Sequence, residues 1–300
     1  MSNDYWADRN AEIQEKLTDK SIEETEKQLI KYYQSAFKKI DREFSAVLKA
    51  YVEAIEDGRE PSPATLYSLN RYWEMQAQLK EILQDLGDRE VALLYKQFVN
   101  QYIAIYEGTI IPSAIEAGIV ASTAFATIPT ATAAAAINQI WCADGKVWSN
   151  RVWGSVEKLA QTLNDKLIGV ITSGAGRGEL KRELAELALP QERKKLAKKL
   201  GKELEELTKK ETQKAIEQAY KRANTLVRTE SSHIENEAAF QRYQDSGIKR
   251  YKFLGRTEHD IGCQCNELNG KIFTFAEKQQ SVNFPPIHVN CRCGIRAIAD

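Results

Sequence analysis

Apolar side chains recur at steps of three and four residues early in the chain, the spacing that keeps them on one face of an α-helix. The longest run predicts one amphipathic helix and consists of Leu29, Tyr33, Phe37, Ile40, Phe44, Val47, Tyr51 and Ile55. The segment "DGREPSP" follows it and contains Gly58, Pro61 and Pro63. Because proline cannot continue the helical hydrogen-bond ladder, we expect the helix to end there.

Two further helices are predicted before residue 109. The first is expected from Ala64 to Leu86, with Gly87 as its stop. Its inward side chains are predicted to be Leu66, Leu69, Trp73, Leu79 and Leu83. The second is expected from Asp88 to Gly108 and carries Tyr95, Phe98, Tyr102 and Ile105.

The middle of the chain predicts more helix, interrupted by glycines. A stripe of Val152, Val156, Leu159, Leu163, Leu167 and Ile171 indicates a helix from about Trp148 to Thr172. Gly174, Gly176 and Gly178 follow, and a turn between helices is favoured over a phosphate-binding loop, because no strand precedes them and no Lys-Ser or Lys-Thr pair follows. Pro190 suits the first turn of the next helix, which is expected to continue to Gly247.

The pattern changes after Gly247, where short alternating segments predict a small sheet. "IKRYKFLG" places Tyr251 and Phe253 on one side of a strand, and "KIFTF" and "GIRAI" supply two more candidates. The predicted fold is therefore mainly α, with long amphipathic helices in the N-terminal two thirds and a small α+β C-terminal module, a short sheet packed on a helix. The predicted segments are a helical region over 1–108, an apolar connection over 109–144, a second helical region over 145–226 and the module over 227–300.

One long segment lacks charge, which raises the question of a membrane span. No charged residue occurs from Ala117 to Ala143. The segment is rich in Ala and Thr and contains Pro129, Asn138 and Gln139, so it is less hydrophobic than a typical span. A buried or partner-facing helical region is favoured over a membrane-active segment, and membrane association is not expected.

Composition indicates an ordinary folded protein without a global charge. Hydrophobic residues make up 43% and charged residues 28% of the chain, and 42 Lys plus Arg balance 42 Asp plus Glu. Attraction to nucleic acid must therefore be local. The polar N-terminus "MSNDYWADRN" does not resemble a signal peptide, so a reducing compartment with free thiols is expected.

One cationic stretch could supply such local attraction. Between Arg193 and Lys202 six cations occur without an anion: Arg193, Lys194, Lys195, Lys198, Lys199 and Lys202. Leu196, Leu200, Leu204 and Leu207 form an apolar stripe beside them, so a solvated helix face is one interpretation. The alternative is a contact with an anion or with DNA, because phosphate binding requires clustered cations rather than net charge.

Thiol and imidazole groups concentrate in the last forty residues. They are Cys263, Cys265, His288, Cys291 and Cys293. A structural zinc ion needs four nitrogen or sulfur ligands, so the set is sufficient, although Cys-x-Cys is less usual than Cys-x-x-Cys. Three interpretations stay open: a zinc site, packed reduced cysteines, and a disulfide or redox pair. Cys142, beside Trp141, is interpreted as a small buried hydrophobic residue.

The same region resembles a known family. "LVRTESSHIENEAAFQRYQDSG", "RYKFLGRTEHDIGCQCNELNGKIF" and "PPIHVNCRC" are similar to segments of the phage head morphogenesis family, minor head proteins similar to the F protein of phage Mu. The matching residues are Arg228, Thr229, Glu230, Asp260, Gly270, Pro285, Pro286, His288, Cys291, Arg292 and Cys293. With the upstream "GKVWSNRVWGSVEKLAQTL", the resemblance covers roughly residues 145–298.

Within the helix that carries this motif, side-chain spacing makes two predictions. Arg228 and Glu230 lie two positions apart and point in different directions, so separate contacts with the sheet and its loops are expected. Glu230 and His233 lie three apart, and a weak contact on the helix surface is expected between them.

The resemblance implies a minor head protein present in few copies per particle. Such a protein would be assembled in the host cytoplasm with the portal protein and with capsid or scaffold proteins, packaged inside the capsid, and able to contact viral DNA during packaging or ejection. The alternative is a Cys/His-dependent enzyme or toxin-like nuclease in which Cys291 pairs with His233 or His259. The first interpretation requires the final dozen residues to fold back against the Asp260 to Gly270 turn.

Overall fold

The computed structural model describes residues 3–109, 126–174, 190–255 and 263–298. Within these ranges the chain forms seven α-helices, one 3-10 turn and a three-stranded sheet near the C-terminus. The predicted class, mainly α with a small α+β module, is therefore confirmed. None of the described helices combines the length and the apolar character that crossing a membrane requires.

Four of the helices are long and three are short. The long ones are α1 (Asn3–Glu56), α3 (Asn70–Gly108), α5 (Trp148–Gly174) and α6 (Pro190–Asp245). The short ones are α2 (Pro63–Tyr67), α4 (Thr130–Ile137) and α7 (Gln264–Leu268). The strands are β1 (Arg250–Leu254), β2 (Ile272–Thr274) and β3 (Gly294–Ile298).

The chain divides into two compact units. Unit 1 contains Met1–Gln28, Val91–Arg151 and Ala223–Asp300, and unit 2 contains Leu29–Glu90 and Val152–Arg222. The four segments predicted from the sequence, with boundaries at residues 108, 144 and 226, stay a prediction.

Unit 2 is built from the predicted apolar stripes. Its buried side chains include Leu29, Tyr33, Ile40, Phe44, Val47, Tyr51 and Ile55 of α1, and Leu159, Leu163 and Leu167 of α5. The α6 segment of unit 2 adds Leu200 and Leu204, whereas Leu207 remains 39% exposed. The helical spacing therefore located most of this core.

Three predictions about the second and third helices were wrong. Helix α2 ends at Tyr67, and α3 then begins at Asn70 and runs through Gly87 without a break. A Cβ atom built on Gly87 would lie 2.4 Å from Cζ3 of Trp153, so glycine here permits close helix packing rather than ending a helix. Trp73, predicted to face inward, is 60% exposed.

The sheet has the order β2-β1-β3, and β1 is antiparallel to both neighbours. Tyr251 lies opposite Phe273 and Ala297, and Phe253 lies opposite Ile295. Tyr251 and Phe253 are buried on one side, as the alternation predicted. Phe240 of α6 contacts the rings of Tyr251, Phe275 and Phe284, which packs the sheet on this helix.

Part of the charge-free segment is helical. Helix α4 covers Thr130–Ile137 and buries Ala133 and Ile137. Residues 110–125, the glycines at 176 and 178, and the family-motif position Asp260 lie outside the described residues, as does His259.

Candidate functional site

The C-terminal residues return to the segment around α7. Phe253, Cys265, Leu268, Cys291 and Cys293 form one buried cluster. Cys263, Phe273 and Ile287 pack against its edge. The structure thus brings the last cysteines against the 263–270 segment, as the family interpretation requires.

The turn after α7 closes on β1. Gly270 has a φ of 82°, a left-handed conformation that glycine adopts without steric cost. Its N–H donates to the Phe253 carbonyl at 2.9 Å, and the Phe253 N–H donates to the Lys271 carbonyl at 2.9 Å. Asn269 adds a side-chain bond, because its Oδ1 accepts the Gly255 N–H at 2.9 Å. Gly270, identified from the sequence, therefore shapes the turn that follows α7, the helix that contains Cys265.

Pro285 and Pro286 are buried, and their carbonyl groups accept hydrogen bonds from neighbouring side chains. The Pro285 carbonyl accepts from Gln280 Nε2 at 3.1 Å, and the Pro286 carbonyl accepts from the Ser281 hydroxyl at 3.0 Å. These contacts direct the following residues toward α7.

The five predicted metal ligands lie together in two groups that share one thiol. Cys263, Cys265 and His288 form the first group, and Cys265, Cys291 and Cys293 form the second. Within each group, all ligand atoms are within 4.8 Å of one another. Cys265 and Cys291 have their Sγ atoms 3.8 Å apart, and Cys263 Sγ lies 3.4 Å from His288 Nε2.

All five cysteines of the chain are free thiols here. The 3.8 Å separation of Cys265 and Cys291 far exceeds a disulfide bond of about 2 Å. Burial raises the pKa of Cys265, whereas hydrogen bonding from Cys293 lowers the pKa of Cys291. Cys142 lies apart from this cluster and is only half-buried, with a pKa raised by burial to about 11.

Helix α6 holds the tail through polar side chains. The Thr229 hydroxyl accepts the Asn290 N–H at 3.1 Å, and Asn236 Nδ2 donates to the Cys293 carbonyl at 3.0 Å. Thr229 was identified in the family motif, but Asn236 was not. The sequence could have indicated Asn236 by its position, because it lies seven residues after Thr229 and therefore on the same face of the helix.

Glu230 is a buried carboxylate with partners distant in sequence. One oxygen accepts from Trp141 Nε1 at 2.9 Å, and the other accepts from the Arg151 guanidinium. Arg151 also contacts both oxygens of Asp144, at 3.0 Å and 2.8 Å. Burial raises the pKa of Glu230, whereas the Arg151 hydrogen bond holds the pKa of Asp144 near 2.

The predicted surface contact between Glu230 and His233 was wrong. Both residues are buried, and the His233 ring stacks on Trp141 with centroids 4.4 Å apart. Burial lowers the pKa of His233 to about 3, so its imidazole is neutral. Sequence reasoning did not identify Arg151, which lies inside the "GKVWSNRVWG" segment that carries part of the resemblance.

The two arginines of the family motif contact the N-terminal half of α1. Arg228 Nε donates to Glu26 at 2.8 Å, and Arg292 forms an ion pair with Asp19. Both arginines line a pocket of about 220 Å³, together with Glu23, Glu235 and the two paired carboxylates. Arg228 and Glu230 therefore make separate contacts, as expected, with Glu26 and with Trp141 and Arg151.

The cationic stretch lies in the α6 segment of unit 2. Arg193 donates to the Ile55 carbonyl at 2.8 Å and to the Arg59 carbonyl at 3.0 Å, so it binds the C-terminal end of α1. The exposed members are Lys194, Lys195, Lys198, Lys199 and Lys202. The stretch is therefore a lysine face, with its arginine engaged inside the unit.

The described residues do not show the pairing of Cys291 with His233 that was predicted for an enzyme, and His259, the other predicted partner, lies outside them. His233 stacks on Trp141, and among the described residues no hydrogen bond joins it to Cys291, which is completely buried. The close pair is Cys263 with His288, at 3.4 Å. This pair belongs to the group of potential metal ligands.

Comparison with protein families places this chain among phage-head-related proteins. Residues 161–296, just under half of the chain, match the family described as Phage Mu protein F like protein. The predicted resemblance is confirmed over this range, which begins later than the expected residue 145. A search of curated proteins finds no match.

Proposed function

We propose that the protein is a minor head protein that associates with the portal during head assembly and is packaged inside the capsid in few copies. The family match over residues 161–296 carries this proposal. The match also favours a structural role over an enzymatic one.

The arrangement of the C-terminal module supports such a role. Its tail is attached to α6 by Thr229 and Asn236 and to α1 by the Arg292 ion pair. The Asn236 contact is buried and favours one geometry, because an unpaired polar group would be costly in the interior. A fixed module is suited to docking on a partner.

Co-purification with a portal ring tests the proposal. The full chain is co-expressed with the portal protein of the same phage, and the ring is isolated by size-exclusion chromatography. We expect the chain to elute with the ring at a fixed substoichiometric ratio. Elution of the whole chain separately from an intact ring, at every salt concentration used, would contradict portal association.

The exposed lysine face favours DNA contact as a second function. Lys194, Lys198 and Lys202 recur at four-residue steps, which aligns them on one side of α6, and Lys195 and Lys199 adjoin them. Each phosphate neutralised by a lysine releases counterions from double-stranded DNA. Binding at this face should therefore weaken steeply as salt concentration rises.

Replacing these five lysines by Gln tests the second function. If all five contact phosphates, the slope of log K against log salt should decrease in magnitude by about 4 to 5. The matched control replaces five exposed lysines elsewhere, namely Lys31, Lys38, Lys80, Lys96 and Lys158, and so changes net charge equally. An equal change of slope in both variants would discard the lysine face as the DNA site.

A further inference from the structure

We propose that Cys263, Cys265, Cys291 and His288 bind one zinc ion as a tetrahedral structural site. This inference is independent of portal or DNA association. It rests on ligand separations, on the orientation of His288 and on the chain segments that the four ligands join.

Two of the observed separations match edges of a zinc tetrahedron. The four proposed ligands come from two overlapping groups, so Cys291 would have to move closer to Cys263 and His288 for zinc to be enclosed. With Zn–S of about 2.3 Å and Zn–N of about 2.0 Å, a tetrahedral site places its sulfurs about 3.8 Å apart and a sulfur about 3.5 Å from a nitrogen. Cys265 and Cys291 are 3.8 Å apart at Sγ, and Cys263 Sγ is 3.4 Å from His288 Nε2. Two edges of the tetrahedron are therefore already formed, one in each ligand group.

His288 is oriented as a metal ligand. Its Nδ1 lies 2.8 Å from the Val289 carbonyl oxygen, which can only accept, so Nδ1 carries the proton. Nε2 then presents its lone pair toward Cys263. Metal-binding histidines are typically held in this way, with the second nitrogen donating to a carbonyl or carboxylate.

The fourth ligand is assigned to Cys291 rather than Cys293. The Cys291 N–H donates to the His288 carbonyl at 3.1 Å, which forms a tight turn between the two proposed ligands. Cys293 is the last residue before β3, and its carbonyl is held by Asn236 at 3.0 Å. Cys293 lies beside Cys265 and Cys291 and is placed to hydrogen-bond to a bound sulfur.

Zinc would join two segments of the module that already contact each other through cysteines. Cys263 and Cys265 lie at the start of α7, whereas His288 and Cys291 lie in the tail, 25 and 26 residues further along the chain. In the bound state the three cysteines are thiolates and the imidazole is neutral, so the site carries one net negative charge. Each ligand thiol that is protonated beforehand releases its proton when Zn²⁺ binds.

The test uses the full chain, purified under reducing conditions without chelator and without added metal. We expect about one zinc per chain by elemental analysis. After zinc removal, Co²⁺ should give the visible absorption of a tetrahedral site together with sulfur-to-cobalt charge-transfer bands. Less than a tenth of an equivalent of zinc, with no tetrahedral cobalt spectrum, would show that these residues are only packed thiols and would overturn the proposal.

Four single variants test the ligand assignment. Cys265→Ser and Cys291→Ser should each lower zinc affinity at least a hundredfold, measured by competition with a chromophoric chelator. Cys293→Ser should retain stoichiometric zinc, and Cys142→Ser, in a thiol outside the cluster, is the matched control. If Cys293→Ser loses zinc and Cys291→Ser keeps it, the assignment of the fourth ligand is wrong.

Misfolding of a variant does not remove the test, because the cobalt spectrum of the wild-type chain needs no substitution. The long helices of unit 2 provide a second check by circular dichroism, since they contain none of the proposed ligands.

Discussion

The part of helix α1 in unit 2 and the part of helix α6 in unit 1 bury their side chains in different ways. From Leu29 to Ile55, buried apolar residues recur at helical spacing between exposed ones. From Glu230 to Asn236 every residue of α6 is buried, and Ile234 is the single apolar side chain among them. One helix is held by an apolar stripe, whereas the other is surrounded on all sides and carries polar groups.

Three side chains in the polar stretch of α6 have hydrogen-bond partners distant in sequence, whereas Ser232 Oγ and His233 Nδ1 have none among the described residues. Glu230 binds Arg151 and Trp141, Asn236 binds the Cys293 carbonyl, and Ser231 Oγ accepts from Gln97 Nε2 at 2.9 Å. Apolar contacts tolerate small shifts, but an unpaired buried polar group costs about 1–3 kcal/mol. The apolar stripe of α1 therefore contributes to the core of unit 2, whereas the hydrogen-bonded polar side chains of α6 position the C-terminal module.

The largest expected effect comes from Glu230→Ala. This change leaves the guanidinium of Arg151, which is mostly buried, without one of its two carboxylates. Breaking a buried ion pair typically costs about 3–5 kcal/mol, and because Asp144 remains we expect about 3 kcal/mol. Urea denaturation measures the free energy of unfolding.

A surface ion pair of unit 2 is the control. Glu211 pairs with Lys166 at 2.7 Å and with Lys214 at 2.6 Å, and both lysine side chains are about half exposed. Glu211→Ala should cost below about 1 kcal/mol. If Glu230→Ala and Glu211→Ala lowered the free energy of unfolding equally, the proposed difference between buried and exposed ion pairs would be contradicted.

A buried carboxylate in unit 2 should make stability depend on pH. Glu90 accepts from the Tyr33 hydroxyl at 2.9 Å, and burial raises its pKa from 4.5 to about 7. The folded state therefore keeps this proton between pH 4.5 and 7 while the unfolded state releases it. Stability should fall by about 3 kcal/mol as pH rises through this range, because each pKa unit corresponds to about 1.4 kcal/mol.

Glu90→Gln separates this effect from all other titrations. The amide retains an oxygen for the Tyr33 hydroxyl and does not titrate, so the variant should lose the decrease of stability between pH 4.5 and 7. Unfolding free energies of both proteins across this range provide the measurement. An unchanged pH profile in Glu90→Gln would show that another group is responsible.

A smaller effect is expected at Gly87. Helix propensity alone predicts that Gly→Ala stabilises a helix by about 1 kcal/mol. The Cβ would instead lie 2.4 Å from Trp153 Cζ3, so Gly87→Ala should destabilise by about 1–3 kcal/mol.

Gly169 in α5 is the matched control, since no atom lies within 4 Å of its Cβ position. Gly169→Ala should stabilise by about 0.5–1 kcal/mol. Thermal unfolding of both variants distinguishes the cases, and stabilisation by Gly87→Ala would show that Trp153 does not restrict this position.

The apolar stripes of α1 and α5 were predictable because periodicity reports burial directly. The prediction at Gly87 was wrong because glycine disfavours a helix locally. The reason for glycine here is packing against Trp153, which lies 66 residues further along the chain. The strands were predictable from the alternation around Tyr251 and Phe253.

The candidate site was only partly predictable. The cysteines and His288 were found from their clustering, and Arg228, Thr229 and Glu230 from the resemblance. Their partners were not, because hydropathy treats polar residues as exposed and so misses a helix with buried polar groups. Arg151, Gln97 and Asn236 are recognised only when the fold brings them to their partners.

The central claim is that the C-terminal module is held closed by its own side-chain groups, with zinc joining α7 to the tail. Amide hydrogen exchange of the full chain, before and after zinc removal, tests it most directly. Exchange at Phe253, Gly270 and Cys291, whose amides close this module, should accelerate strongly, while amides from Leu29 to Ile55 keep their protection. Unchanged exchange at these three amides, or equal acceleration throughout the chain, would contradict the claim.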